Sequence, residues 1–263
     1  MFFGKNIVFS ICFDIMVYVL SCVHFVETGR RGLIMAFAWK EWMKKAWFAL
    51  PRIKERHNLY ISNIRSQYNY NNDVPSIICS SCIGGLISHN LGLQFCSPTV
   101  NLWIDNQDFV RFACNLEEYL QKELVFNEDI ENLGQSKKEE FPIAKLGDIT
   151  VYFNHYHTAE EAAAKWNERK QRIRYDNLFL ITDDNRLTDE EINRLQSVPC
   201  KRFILFTARP RPEIDNSFWM KRYSKIGYLG NYNNRDRDGL REFEKSFNYA
   251  RWLNGENDFS MDN

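Results

Sequence analysis

Five short apolar runs set the limits on what this chain can become: SIICS (76–80), TVNLWI (99–104), ITVYF (149–153), NLFLIT (177–182) and RFILFT (202–207). Each has the length of a strand and is apolar nearly throughout, which suits strands covered on both faces. Amphipathic patterns lie between them at 83–91, 107–121, 158–174 and 188–197, and a last helix is expected over 237–252. This alternation predicts an α/β fold, a mostly parallel sheet flanked by helices in three Rossmann-like layers. Residues 127–140 are acidic, carry Gly134 and read as a surface loop. The expected division is an N-terminal apolar and basic extension over 1–56, a single α/β domain over 57–253 and a frayed polar tail over 254–263.

Charge separates the extension from the body. The whole chain of 263 residues carries 34 Lys/Arg against 34 Asp/Glu. That balance argues against a nucleic-acid binder, which needs a basic excess to displace phosphate counterions. The zero is a cancellation, because residues 1–70 hold ten Lys/Arg against four Asp/Glu. Seven cysteines, odd in number and irregularly spaced, do not read as a disulfide framework and suit a reducing compartment.

The extension opens with Asn6–Val26, where Asp14 is the lone formal charge. Its twelve Ile, Val, Phe and Leu residues contribute about −5 kcal/mol toward insertion, and Asp14 opposes with about +3. A membrane anchor, a period-two strand, and translated leader before a start at Met35 or Met43 all fit this window. Residues 35–56 then interleave Trp39, Trp42, Trp47 and Phe48 with Lys40, Lys44, Lys45, Arg52 and Lys54. That pattern suits a helix on an anionic membrane surface, or one packing its tryptophans on the main domain.

In parallel sheets ligands bind beyond the carboxyl ends of the strands, so the residues following each strand are the candidates. After the first comes Cys79-Ser80-Ser81-Cys82-Ile83-Gly84-Gly85. Cys82 would face the positive end of a helix, which favours thiolate and suits a nucleophile. The Gly84 and Gly85 amides would serve as oxyanion or phosphate donors. The same residues read as a Cys-x-x-Cys redox pair, or as buried cysteines that only pack. After the third strand come His155 and His157, either of which fits a general base for Cys82, or simply a loop histidine. Thr158 with Glu161 forms a capping box for the next helix. After the fourth come Asp183 and Asp184, to orient a histidine, to hold a divalent metal with a diphosphate, or to cap the following helix. Arg209 and Arg211 after the fifth suit an anionic group, whereas Arg169, Arg172 and Arg174 close a helix and offset its dipole, with Arg172 also an anion-binding candidate. Zinc is not expected, because Cys96, Cys114 and Cys200 have no partner at ligand spacing. No P-loop, Gly-x-Gly-x-x-Gly or Gly-x-Ser-x-Gly pattern is present.

The block CIGGLISHNLGLQFCSPTVNLWI (82–104), with DFVRF, NLEEYL, FNHYHTAEEAAAKWNERKQRI and NLFLITDDN downstream, resembles a bacterial family commonly labelled exopolysaccharide or capsular polysaccharide biosynthesis proteins. The resemblance spans roughly residues 57–252. It departs at Ser81, where an asparagine is usual, and at Cys79, where a cysteine is not, which weakens the redox-pair reading. The order strand, cysteine, helix, downstream histidine is more loosely similar to papain-like cysteine peptidases.

The resemblance implies work on a surface glycan or a lipid-linked saccharide, in the cytoplasm or at the inner membrane. Three functions are expected. The first is a cysteine-dependent acyl transferase or hydrolase with Cys82 as nucleophile, His155 or His157 as base, Asp183 or Asp184 as orienter, and no cofactor. The second is a glycosyltransferase-like protein binding a nucleotide sugar through Asp183, Asp184 and Arg209, with a divalent metal. The third is a non-enzymatic accessory protein held at the membrane.

Overall fold

The structure is a computed structural model that describes residue 47 and residues 50–71, 73–126 and 141–261. The chain divides into two compact units, one of residues 1–58 with 237–239 and one of residues 59–236 with 240–263. The apolar window at 6–26, most of the aromatic and basic segment at 35–56 and the acidic stretch at 127–140 lie outside the described residues. In the smaller unit, Trp47 Nε1 donates to Arg237 O at 2.8 Å and Arg56 pairs with Asp238 at 3.7 Å. The first residues of helix α1 (Pro51–Gln67) belong there too. No helix among the described residues is long and apolar enough to cross a membrane.

The larger unit holds two sheets. Strand β1 (Ser76–Cys79) leads into α2 (Ile83–Leu91). Next come β2 (Trp103–Ile104), α3 (Asn106–Cys114), α4 (Leu116–Gln121), β3 (Leu124–Phe126), β4 (Ile143–Leu146), β5 (Ile149–Tyr152) and α5 (Ala159–Lys170). The chain then returns through β6 (Leu178–Asp183), α6 (Asp189–Gln196), β7 (Arg202–Thr207) and β8 (Ser217–Trp219), and ends in α7 (Glu242–Ser246) and α8 (Tyr249–Leu253). One sheet has the order β1-β6-β7-β8 and is wholly parallel. The other, β2-β5-β4-β3, is antiparallel. The expected mostly parallel sheet is therefore corrected to two sheets of four strands each, the antiparallel one formed by residues between β1 and β6.

The difference has local causes. Of the run at 99–104 only Trp103 and Ile104 are strand, because Asn101 takes a left-handed φ of 63° and turns the chain. Gly147, with φ 64°, makes the two-residue hairpin that pairs Leu146 with Ile149, so the run at 149–153 joins an antiparallel neighbour. The helix expected over 107–121 breaks at Asn115, which ends α3 and begins α4. The one expected over 237–252 is two short helices separated at Phe247 and Asn248. The tail from Asn254 is pinned rather than frayed as far as Met261. Asn248 N–H donates to Phe259 O at 2.7 Å and Met261 N–H to Ser246 O at 3.0 Å.

The apolar runs at 76–80, 177–182 and 202–207 are three of the four parallel strands, and both their faces are buried. Ile78, Leu178, Leu180, Phe203 and Leu205 pack with the antiparallel sheet and with Phe109, Phe112, Trp166 and Ile192. Ile77, Cys79, Phe179, Ile181, Ile204 and Phe206 pack on the other side with Ile83, Ile87, Phe243, Phe247 and Trp252. Helix α2 lies so close to β1 that a Cβ on Gly84 would stand 3.1 Å from Cys79 Cβ and 3.2 Å from Ile77 O. Gly84→Ala is therefore expected to cost about 1–3 kcal/mol of overpacking, less about 1 kcal/mol of gained helix propensity. Urea unfolding measures it, and a variant more stable than the parent would contradict this close approach.

Candidate functional site

The carboxyl ends of β1, β6 and β7 lie side by side, because Cys79 pairs with Ile181 and Asp183 with Phe206. Asp183 closes β6 and is buried. Its Oδ1 accepts from Asn106 Nδ2 at 2.6 Å and from Asn185 N–H at 3.0 Å, and its Oδ2 accepts from Tyr232 Oη–H at 2.7 Å. Asn106 Nδ2 also reaches the Asp183 and Asn185 carbonyls. The Thr182 hydroxyl lies 2.9 Å from Ser80 Oγ and 3.3 Å from Asn106 Oδ1. Tyr232 shares a further hydrogen bond with the Ser81 hydroxyl. Asn185 clamps the segment carrying Tyr232, accepting from Leu229 N–H at 3.0 Å and donating to Leu229 O at 2.8 Å. One carboxyl group thus ties together α3, the end of β6 and the 229–232 segment, with the β1 end joined through Ser80 and Ser81.

Burial pushes the Asp183 carboxyl above the usual carboxylate range, while Tyr232, Asn106 and the Asn185 amide pull the other way. Burial also raises Asp184, helped by the charge of Asp183, against Arg211 and the Ala208 amide that donates to its carboxylate. Asp184 is half-buried, at the opening of this edge. Arg209, on the next strand end, is exposed and has no carboxylate partner among the described residues. Its guanidinium packs on Gly227, where a Cβ would fall 2.6 Å from Nη2. Neighbouring arginines are occupied, Arg211 by Asp189 and Glu213, and Arg222 by Asp236 and Glu242.

The cysteine side of the edge differs from expectation. Cys82 precedes α2, but its sulfur is buried and faces Leu102 O at 3.7 Å and Asn154 Oδ1 at 3.9 Å. Burial raises its pKa to about 11, outweighing the helix dipole invoked to lower it. Of the two glycine amides expected to serve an oxyanion, that of Gly84 is turned onto Cys79 together with the Ser81 amide. Ser81 N–H lies 3.5 Å from the Cys79 sulfur, and Gly84 N–H also donates to it. Gly84 and Gly85 are packing glycines, and a Cβ on Gly85 would lie 2.9 Å from Val100 Cγ1.

His155 and His157 are both exposed, and neither imidazole makes a hydrogen bond among the described residues. Partial desolvation of its ring by neighbouring chain lowers the His155 pKa. Between them, Tyr156 turns inward and donates to Val100 O at 2.9 Å. Arg169, buried, donates to the same oxygen at 3.3 Å and to Tyr156 Oη at 2.6 Å. This pair supports the 97–102 loop beneath α2. Arg172, just past the end of α5, pairs with Glu168 of that helix and reaches Phe95 O in the segment after α2. Thr158 caps α5 as expected, accepting from Glu161 N–H at 3.2 Å, but the expected capping box does not close, because the Glu161 carboxylate accepts from His157 N–H.

The structure therefore gathers Asp183, Asp184 and Arg209 at one edge and, among the described residues, joins no histidine to Cys82 by a hydrogen bond. Reading along the sequence missed Asn106, Asn185 and Tyr232. Asn106 directly follows the Asp105 cap, and the Asp-Asp-Asn run carried Asn185 in plain view. Tyr232 had no signal, since it lies in a stretch without periodicity. A divalent metal does not fit these residues. Both Asp183 oxygens are taken by donors, its carboxyl is raised, and no cluster of three His, Cys, Asp or Glu exists among the described residues. A cavity of about 100 Å³ lies instead near the amino ends of β1, β6 and β7, lined by Asp73, Asn177 and Lys201. Those three groups already bond one another.

A family model described as Domain of unknown function (DUF1919) matches residues 53–254. An uncharacterized protein of Haemophilus influenzae is similar to this chain, 31% identical over 203 residues that cover 77% of this chain and 94% of that protein.

Two outcomes follow from this geometry. Alkylation with iodoacetamide, mapped by mass spectrometry, is expected to spare Cys79 and Cys82 while the half-buried Cys114 and Cys200 react first. Labelling of Cys82 ahead of both would contradict its packing. The raised Asp183 carboxyl means the folded chain holds its proton more tightly than the unfolded chain, whose value is about 3.9. Stability from this group is thus lost as pH rises from about 4 through the raised value. Asp183→Asn removes that loss, so in urea unfolding the variant should gain on the parent as pH rises from acid to neutral. A difference that is flat or runs the other way would count against a raised carboxyl.

Proposed function

The chain belongs to the DUF1919 family, and we propose that it is a transferase of bacterial surface-polysaccharide assembly that binds a phosphate-bearing sugar donor at the carboxyl edge of its parallel sheet. The observation that carries this reading is the presence, on adjacent strand ends, of a half-buried carboxylate and of a guanidinium that has no carboxylate partner among the described residues. The polysaccharide context draws on the resemblance carried by the 82–104 block. Reading the buried parallel sheet and its covering helices as a Rossmann-like, three-layer arrangement also favours this edge, since ligands of such sheets bind there.

In this reading each residue has a task. Arg209 receives the donor's phosphate through charge-assisted hydrogen bonds. An acceptor hydroxyl of a glycan or lipid-linked saccharide attacks the sugar's anomeric carbon as the bond from that carbon to the phosphate oxygen breaks. The phosphate group departs as an anion held by Arg209, and the hydroxyl proton passes to Asp184. A raised carboxyl is a stronger base than an ordinary one, which suits that role. Asp183 positions the edge and touches neither reactant. The cysteine-nucleophile reading draws no support from a thiol raised to about 11 without a bonded base. The setting proposed is the cytoplasmic side of the inner membrane, where lipid-linked acceptors are assembled.

Calorimetry of the full chain with UDP, GDP and CMP, with and without magnesium or manganese, tests the binding half of this reading. At least one nucleotide should bind the parent, and Arg209→Ala should weaken it about tenfold or more, roughly 1.4 kcal/mol. Asp184→Asn should not weaken it, because the substitution removes a like charge. No heat with any nucleotide, or unchanged affinity in Arg209→Ala, would overturn the proposal.

A further inference from the structure

Residues 219–228, WMKRYSKIGY, contain Lys221, Arg222 and Lys225 and no acid, and no acid occurs between Asp215 and Asp236. The segment is fastened from below by Met220, Tyr223 and Leu229, which are buried in the core on one side of the parallel sheet. Ile226 N–H and Gly227 N–H both donate to Tyr223 O, at 3.0 and 2.9 Å, and bend the chain outward. Trp219 Nε1 donates to Ser224 Oγ at 2.9 Å, and Lys221 Nζ stands 5.7 Å from the Trp219 ring centre. The residues left facing out are Ile226, Tyr228 and Trp219, exposed by 71%, 52% and 37%, with Lys221 and Lys225 beside them. Arg222 is paired with Asp236 and Glu242, whereas the two lysines have no carboxylate partner among the described residues.

We propose that this segment docks the protein on an anionic lipid bilayer. Its chemistry is that of the membrane interface: an indole and a phenol suited to the headgroup layer, an isoleucine to enter it, and two lysines to meet headgroup phosphates. The charge complementarity is one-sided, since no acid in the segment opposes a negative surface. Ile226 and Tyr228 stand on a bent, anchored turn beside Trp219 at the end of β8, which suits insertion better than packing against a second protein. Gly227 carries the Arg209 guanidinium on its surface, so docking here brings the carboxyl edge of the sheet to the lipid. The inference does not rest on the transferase reading, because vesicle binding needs no donor and no turnover.

Sedimentation of the full chain with phosphatidylcholine vesicles containing phosphatidylglycerol, against phosphatidylcholine alone, measures the partition. The parent should prefer the anionic vesicles and lose that preference in high salt. Lys225→Glu combined with Ile226→Asp should lower the partition coefficient about tenfold or more, while circular dichroism and thermal unfolding stay those of the parent. Both positions are exposed, so the fold is not at risk. Equal partition of parent and variant overturns the proposal, as does equal binding to neutral vesicles. No partition of the parent also overturns it, and leaves the patch to a protein partner.

Discussion

A carboxyl group buried at the end of a parallel strand must be met by donors or lose its charge, and Asp183 is subject to both pressures. Its two oxygens receive Asn106, Asn185 and Tyr232, yet burial still raises its pKa. The carboxyl edge is built around this one group. Asn106 starts α3, so that helix begins where the carboxylate needs a donor. Tyr232 reaches in from a segment with no regular structure, and Asn185 holds that segment by both the amide and the carbonyl of Leu229. Removing the shape of the network would release three pieces of chain at once, whereas removing its charge alone would not.

The edge is asymmetric, and the asymmetry decides which chemistry it favours. On the β1 side, the helix-start amides are turned onto a cysteine sulfur and the second cysteine is buried against a carbonyl, so little there is free to receive a ligand. Toward β6 and β7 remain the half-buried Asp184 and Arg209, which has no carboxylate partner among the described residues. Both glycines of the Cys-Ile-Gly-Gly block are explained by the close seat of α2 on β1 and on the Val100 turn. A motif that reads as an active-site loop is here a packing device.

Much of the larger unit was legible because burial on both faces leaves a strong mark. The runs SIICS, NLFLIT and RFILFT are apolar at nearly every position, and they are three of the four parallel strands. The cap at Thr158 was legible for a local reason, a short side chain three residues before a glutamate. The second sheet was not, because a run such as ITVYF carries no sign of its partner's direction. That direction was set by Gly147 and Asn101, whose left-handed backbone is a local event with distant effect. At the site, Asp183 and Arg209 were found by their position after strands, while Tyr232 was not. A contact 49 residues away along an aperiodic stretch leaves nothing for periodicity to detect.

The account stands on the state of the Asp183 carboxyl. Its titration can be followed directly by carbon NMR of the side-chain carboxyl in the folded chain, with assignment from the Asp183→Asn variant. The structure requires a midpoint above the ordinary aspartate value of about 3.9 and above that of Asp148, whose carboxyl is held low by the Tyr119 hydroxyl. A midpoint for Asp183 at or below the ordinary value would mean that its donors outweigh its burial, and the carboxyl edge as described here would be wrong.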